Sequence, residues 1–463
     1  MFVGREREFK KLNSLYESNH FEFAVFYGRR RVGKTTHIKE FIKGKDACYY
    51  MAIEGTKAEN LAGLSSAVLS SENSISFADF EDLFKYVDRT CQERRQILVI
   101  DEYPYLAASY PAISSLLQSH IDNCWQNSKL FQILCGSSMS FMENQVLGYK
   151  SPLYGRRTAQ FKLHPFTYFE ARQMLPSYTT EEQAILYGIT GGIPEYLQRI
   201  NPAKSMNDNI LELFFEESGR LFEEPTNLLK QELKEPASYH SIISAIASGS
   251  SRVNEIATKT GLETSGCSNQ LTSLISLGIV KKEFPITEKE NSRKTLYSLN
   301  DNMFLFWYRF VRPNLSAIAR DAGAAIYENI VKPQLADFMG KIFEEICIQY
   351  LFQPEIYATN PFPIGNVGKW WGTNPFSKIQ EEIDIVALYD DNVILGECKW
   401  RNQPVDTGMI QKLLERGQLF PYFQKYFYIF SKTGFTDSAR ELGLQHNIRM
   451  ICFEDMNQPA PTL

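Results

Sequence analysis

The eight cysteines of this 463-residue chain form no CxxC pair, and the chain has neither a low-complexity tract nor an internal repeat. Scattered cysteines suggest neither a disulfide framework nor a zinc site, and a reducing cytoplasm is the expected compartment. No apolar run approaches the ~20 residues that a membrane span needs. The richest, Met303-Phe-Leu-Phe-Trp-Tyr-Arg-Phe-Val311, carries an arginine inside it. The opening Met-Phe-Val-Gly-Arg-Glu-Arg-Glu is charged at once and does not read as a secretory leader, so no membrane partner is expected. Strong net charge is also missing: at −5 the chain carries no general electrostatic attraction to nucleic acid.

With 44% hydrophobic and 22% charged residues, the composition is that of a globular protein of roughly two to four domains. Five segments are expected. Residues 1–165 alternate apolar strands with helical stretches, the mark of an α/β sheet. Residues 166–230 read as helical, 231–300 as three short helices and a hairpin, 301–335 as an aromatic connector, and 336–463 as a second α/β unit.

Gly28-Arg-Arg-Arg-Val-Gly-Lys-Thr35 is the strongest local signal. It follows the apolar strand Phe23–Tyr27 and precedes the helix-compatible Thr36-His-Ile-Lys-Glu-Phe-Ile, the context of a phosphate-binding loop. Its glycines let backbone N–H groups curl around phosphate oxygens, and the helix N-terminus adds partial positive charge. Gly28, Arg31, Val32, Gly33, Lys34, Thr35 and Thr36 are the expected contacts to ATP. Lys34 reaches the outer phosphates and Thr35 ligates Mg²⁺. His37 is expected on the following helix with no ligand role.

Ile97-Leu-Val-Ile-Asp-Glu102 is an apolar strand ending in two carboxylates. A strand emerging beside the loop aims Asp101 at the Mg²⁺ shell and sets Glu102 to polarise the attacking water. Ser137, ahead of Ser138, is the candidate for sensing the γ-phosphate or holding that water. Arg156, with Arg157 beside it, is the candidate arginine finger.

Together with Phe2-Val-Gly-Arg-Glu, Cys135-Gly-Ser-Ser, Leu163-His-Pro-Phe and Gly191-Gly-Ile-Pro194, these motifs resemble the archaeal-type ATPases of the signal-transduction (STAND) branch of AAA-like NTPases. The resemblance covers about the first 230 residues. It implies a P-loop parallel sheet, Gly4, Arg5 and Pro194 flanking the base, and a helical lid opened by the Gly-Gly-Ile-Pro turn. It also implies slow hydrolysis that toggles domain arrangement, with nucleotide-dependent self-association as a candidate property.

Ser241–Ser248, Val253–Thr260 and Ser265–Leu277 read as three helices. Ile279–Phe284 and Lys294–Leu299 then form a hairpin around Pro285–Asn291. This order resembles a winged helix-turn-helix. Its charge is nearly balanced and its third helix has no basic residue, so a structural or protein-interaction role competes with DNA binding.

Glu381–Tyr389 and Val393–Trp400 read as strands around a turn at Asp390-Asp391. If Tyr389 pairs with Asn392, Asp384 falls opposite Glu397, with Cβ atoms roughly 4.5–5.5 Å apart, and Lys399 shares their face. Two facing carboxylates can hold Mg²⁺, and the lysine can activate water against a phosphodiester. A lysine bridge that merely neutralises both acids is the competing role. The spacing Asp-x(12)-Glu-x-Lys resembles the PD-(D/E)xK nuclease superfamily, which implies a restriction-endonuclease-like α/β domain acting on DNA or RNA. By that resemblance Glu344, on a helix over Asp337–Leu351, completes the acidic site, with Glu345 as the alternative. Trp370 and Trp371 either stack on bases or pack a loop.

Overall fold

The computed structural model describes residues 3–70, 76–233, 235–290, 292–375 and 377–458. Phe2, of the amino-terminal motif, and Asn291, of the expected hairpin turn, lie outside them. The chain divides into two compact units, Met1–Phe166 with Ile193–Glu195, and Thr167–Gly192 with Tyr196–Leu463. Among the described residues, no helix is long and apolar enough to cross a membrane.

The first unit is built on five parallel strands: β1 (Glu22–Tyr27), β2 (Ala47–Met51), β3 (Gln96–Asp101), β4 (Leu130–Gly136) and β5 (Ala159–Lys162). Their order is β2-β3-β4-β1-β5. β3 and β4 are buried along their whole lengths and β1 nearly so. That is why they read as continuous apolar runs rather than alternating ones. β4 lies directly beside β1 and separates it from β3, so Asp101 approaches the phosphate loop from one strand further away.

In the second unit, helix Thr180–Thr190 packs against helix Leu335–Leu351 at Gly188. A Cβ there would meet Ile342 Cδ1 at 2.8 Å and Met339 Sδ at 3.0 Å, so the two helices approach closely at this point. The segment expected as one lid is therefore divided. Ile193–Glu195 clusters with the first unit, while its flanks cluster with the second. Three helices, Pro236–Ala247, Val253–Thr260 and Thr264–Ser276, precede an antiparallel pair, β6 (Val280–Glu283) and β7 (Leu296–Leu299). The aromatic connector is buried: Phe306 packs on Phe214 and Phe338 with ring centroids 5.0 and 5.5 Å apart.

A second sheet holds β8 (Asn366–Thr373), β9 (Gln380–Tyr389), β10 (Asn392–Lys399), β11 (Gln424–Ser431) and β12 (Arg449–Cys452), in the order β12-β11-β10-β9-β8. β8, β9 and β10 are antiparallel, whereas β10, β11 and β12 run parallel. Tyr389 pairs with Asn392 as the turn demands, but the ladder ends at Ile385–Gly396. Asp384–Glu397 is thus not a ladder pair. Asp384 Oδ2 instead accepts the Cys398 N–H at 2.9 Å, a side chain standing in for a strand carbonyl.

Candidate functional site

The phosphate loop lies between β1 and helix Lys34–Ile42. Gly28 has φ 150°, and a Cβ on it would stand 2.4 Å from the Leu163 carbonyl oxygen, so β5 and the loop meet only through glycine. Gly33 turns the chain into the helix at φ 89°. Val32 anchors the loop in the core, and Thr36 is exposed. Lys34 Nζ donates to the carbonyls of Gly28 and Arg29 at 2.8 and 2.9 Å, which folds the ammonium back into its own loop. Burial pushes its pKa below the ordinary lysine value, against the raising influence of Cys135, Glu102 and Asp101.

Three elements converge at the carboxy-terminal edge of the sheet. Asp101 Oδ2 accepts from Thr35 Oγ1 at 2.7 Å and from Tyr49 O–H at 2.8 Å. Asp101 and Thr35 thus present adjacent hard oxygens, the donor set that suits Mg²⁺. Glu102 follows in the left-handed region at φ 49°. Its Oε2 accepts from Ser137 Oγ at 2.9 Å and from Ser137 N–H at 3.3 Å, which ties the end of β3 to the end of β4. Tyr49 was not foreseen. Its only sequence signal is a tyrosine in the middle of a short strand.

Gly4 and Arg5 both have positive φ. The Arg5 guanidinium bonds the His164 carbonyl and lies 4.9 Å from the Phe166 ring centroid. A Cβ on Gly33 would come within 3.9 Å of Pro194 Cγ, so Pro194 sits over the loop; beside it, Arg31 pairs with Glu195 at 3.7 Å. Arg156, the candidate finger, is held by an ion pair and backbone contacts. Its guanidinium binds both Asp122 oxygens, at 2.7 and 2.6 Å, and donates to the Pro152 and Tyr154 carbonyls. These four contacts fix the loop that carries it. His37 is 1% exposed between Phe9 and Phe26, and burial lowers its pKa to about 4.

The second cluster lies where β10 ends, beside the first half of β9. Lys399 Nζ reaches Glu397 at 2.7 Å and Asp384 at 3.3 Å. Arg416, on helix Thr407–Gly417, bridges Glu397 and Glu381, an addition that sequence spacing did not supply. Glu344 is paired with Lys369 of β8 and feels the Asp384 charge, whereas Glu345 turns to Tyr187 and Gln349. Glu344 is therefore the one facing the cluster. Burial, reinforced by Asp384, pushes the Glu344 and Glu397 carboxyls up. Burial opposes charge on Lys369 and Lys399 too, yet their acidic neighbours hold both ammoniums above the usual lysine value. The lysines stay charged, and any added proton goes to a carboxyl. Trp370 packs on Phe420 at 5.2 Å and so serves the core.

Comparison with known proteins agrees with this picture of the first unit. Residues 2–200 match a family described as an ATPase domain predominantly from Archaea, and residues 307–411 match archaeal and bacterial proteins of unknown function. An uncharacterised protein of Methanocaldococcus jannaschii is 34% identical over 407 residues, spanning 87% of this chain and 88% of that protein. A Walker-type ATPase of Pyrococcus abyssi superposes with a TM-score of 0.50 at 20% identity, over 66% of this chain and 96% of that one. The ORC2 protein of Aeropyrum pernix, in ADPNP and ADP complexes, gives 0.44 at 14% identity, over 69% and 95%.

Proposed function

The chain belongs to one family with the uncharacterised Methanocaldococcus protein and carries the archaeal ATPase domain over residues 2–200, and we propose that it is an ATP- and Mg²⁺-dependent switch of the STAND type that controls a nuclease-like carboxylate site in its second unit. ATP binding and hydrolysis rest on the convergence of Lys34, Thr35, Asp101, Glu102 and Ser137 at one sheet edge. In this reading Lys34 leaves the Gly28 and Arg29 carbonyls for the outer phosphates, and loop N–H groups replace water around them. Thr35 and Asp101 would hold Mg²⁺, which when bound neutralises phosphate charge. Glu102 accepts the proton of the attacking water once Ser137 yields its carboxylate. Gly4, Arg5 and Pro194 border the base.

The output side rests on one observation: Asp384, Glu397 and Lys399 meet beside the end of β10, with both carboxylates buried. Their hard oxygens, with Glu344 close enough to feel Asp384, suit a divalent ion that would polarise a phosphodiester, while Lys399 orients the water. DNA or RNA would be the substrate. We test this with nuclease assays on both, in Mg²⁺ or Mn²⁺, with ATP, a non-hydrolysable analogue or no nucleotide. Cleavage should depend on nucleotide state and vanish in Asp384→Ala. Equal inertness of wild type and variant on every substrate refutes the nuclease role.

A second reading has its own support. Lys369, Lys399 and Arg416 pair directly with the acids, which by itself offsets their charge. On this reading the second unit, with its winged-helix-like segment, only binds protein or nucleic-acid partners. Titration calorimetry with Mn²⁺ separates the two, because a lattice of ion pairs takes up no metal and is indifferent to Asp384→Asn.

A further inference from the structure

Away from the nucleotide edge, the first unit gathers a mixed nitrogen, oxygen and sulfur set that neither reading uses. Helix Phe80–Glu93 supplies Glu81 and Asp88, two turns apart on one face, and helix Ile113–Asn123 supplies His120, with Cys124 one turn later. One ligand atom from each of Asp88, His120 and Cys124 lies within 4.8 Å of the others. His120 is buried, and Asp88 and Cys124 are half-buried.

The three donors are drawn together around His120. His120 Nδ1 is 3.1 and 3.0 Å from the two Asp88 oxygens, so it is aimed between them and not along one bond. Its other nitrogen, Nε2, faces the Glu81 carboxylate at 3.6 Å. A neutral imidazole has one N–H to offer. If Nε2 carries it toward Glu81, the bare Nδ1 lone pair meets the Asp88 carboxylate, which is repulsive unless a positive ion sits between them. A carboxylate behind the distal nitrogen of a histidine is the outer contact that orients metal-bound imidazoles. Trp125 Nε1 donates to Asp88 Oδ1, which fixes the carboxylate and leaves Oδ2 for coordination. Phe84 and Trp125 pack against the imidazole at centroid distances of 5.5 and 5.6 Å and against each other at 5.5 Å.

We propose that Asp88, His120 and Cys124 bind one divalent transition metal of the Zn²⁺ class, oriented by Glu81 and Trp125, with water in the fourth position. One nitrogen, one carboxylate oxygen and one sulfur form a set that suits Zn²⁺ and is poor for Mg²⁺ or Ca²⁺. On binding, the Cys124 thiol releases its proton to solvent and its sulfur bonds the metal, while the imidazole proton rests on Nε2. No electron transfer is involved. The helix carrying Asp88 leads into β3 and the turn after Cys124 leads into β4, both at the amino-terminal edge of the sheet. The metal would therefore staple the entries of the two strands whose far ends carry Asp101 and Ser137. It is a stabilising site, separate from the ATP chemistry. The competing state is an imidazolium clamped between Glu81 and Asp88, which needs no sulfur and takes up no metal.

The test uses the whole chain, stripped with chelator and titrated with Co²⁺ and then Zn²⁺. One equivalent of Co²⁺ should bind and produce a thiolate-to-cobalt charge-transfer band that Zn²⁺ displaces. Cys124→Ser should lose the band. Glu81→Gln, a change at an exposed side chain that leaves all three ligands in place, should keep the band but weaken affinity about 10- to 100-fold. Absence of the band in the intact wild type overturns the site whatever the variants do. So does an unchanged band in Cys124→Ser, because another of the eight cysteines would then own it, while unchanged affinity in Glu81→Gln overturns the orienting role of Glu81.

Discussion

Acidification should loosen the helix that carries Lys34 and Thr35, through His37. Burial holds this imidazole neutral, with a folded pKa of about 4 against an ordinary value near 6.5. The depressed value sets the sign: the unfolded chain takes up a proton in this window and the folded one does not. The contribution of His37 is thus complete above about pH 6.5 and is lost as pH falls toward about 4. Full loss is about 3 kcal/mol, from roughly 2.5 pKa units at 1.36 kcal/mol each, and about 2 kcal/mol is gone by about pH 5. Packing gives the reason, since the ring lies against Phe9 and Phe26 at 4.4 and 5.7 Å. Urea unfolding of wild type and His37→Leu should be compared at about pH 7.5 and pH 5, so that other titrating groups cancel. The wild type should lose about 2 kcal/mol more than the variant. Parallel losses in the two proteins would refute the argument, because His37 would then titrate alike folded and unfolded.

Other expectations concern the nucleotide site. Lys34→Ala should lower ATP affinity about 100-fold, since a charge-assisted contact to phosphate contributes up to about 3 kcal/mol; fluorescent-nucleotide titration measures it. Glu102→Gln should keep that affinity and cut turnover by about 10²–10⁴, read by phosphate release. Arg156→Ala should leave turnover unchanged and cost at most about 1 kcal/mol in a melt, because its partner Asp122 is partly exposed. A large fall in turnover would restore the finger assignment. Gly28→Ala should cost about 2–4 kcal/mol through its clash with the Leu163 carbonyl, seen as a lower melting temperature without nucleotide.

Helix Val253–Thr260 and the turn joining β9 to β10 were legible because each depends on neighbours within a few residues. The phosphate loop was legible for the same reason. Glycine spacing, an apolar strand before it and a helix after it are local properties, and the hydroxyl and carboxylates follow at strand ends. Asp384, Glu397 and Lys399 were found by one step of register arithmetic across a tight turn. That arithmetic held as far as Ile385–Gly396 and then failed, because the Asp384 side chain took over the Cys398 amide.

What the amino-acid order determined by itself was therefore a triphosphate loop, two acids at the end of a buried strand, and a carboxylate pair with a lysine near the carboxy terminus. Tertiary structure alone decided that β4 separates β1 from β3, that Glu344 and not Glu345 faces the cluster, and that Arg416 joins it. It also turned Arg156 toward Asp122 and brought Cys124 and His120 to Asp88. Periodicity reports which face of its own element a side chain occupies. It carries no record of which distant element will meet that face, and these pairings are set by packing between segments tens of residues apart.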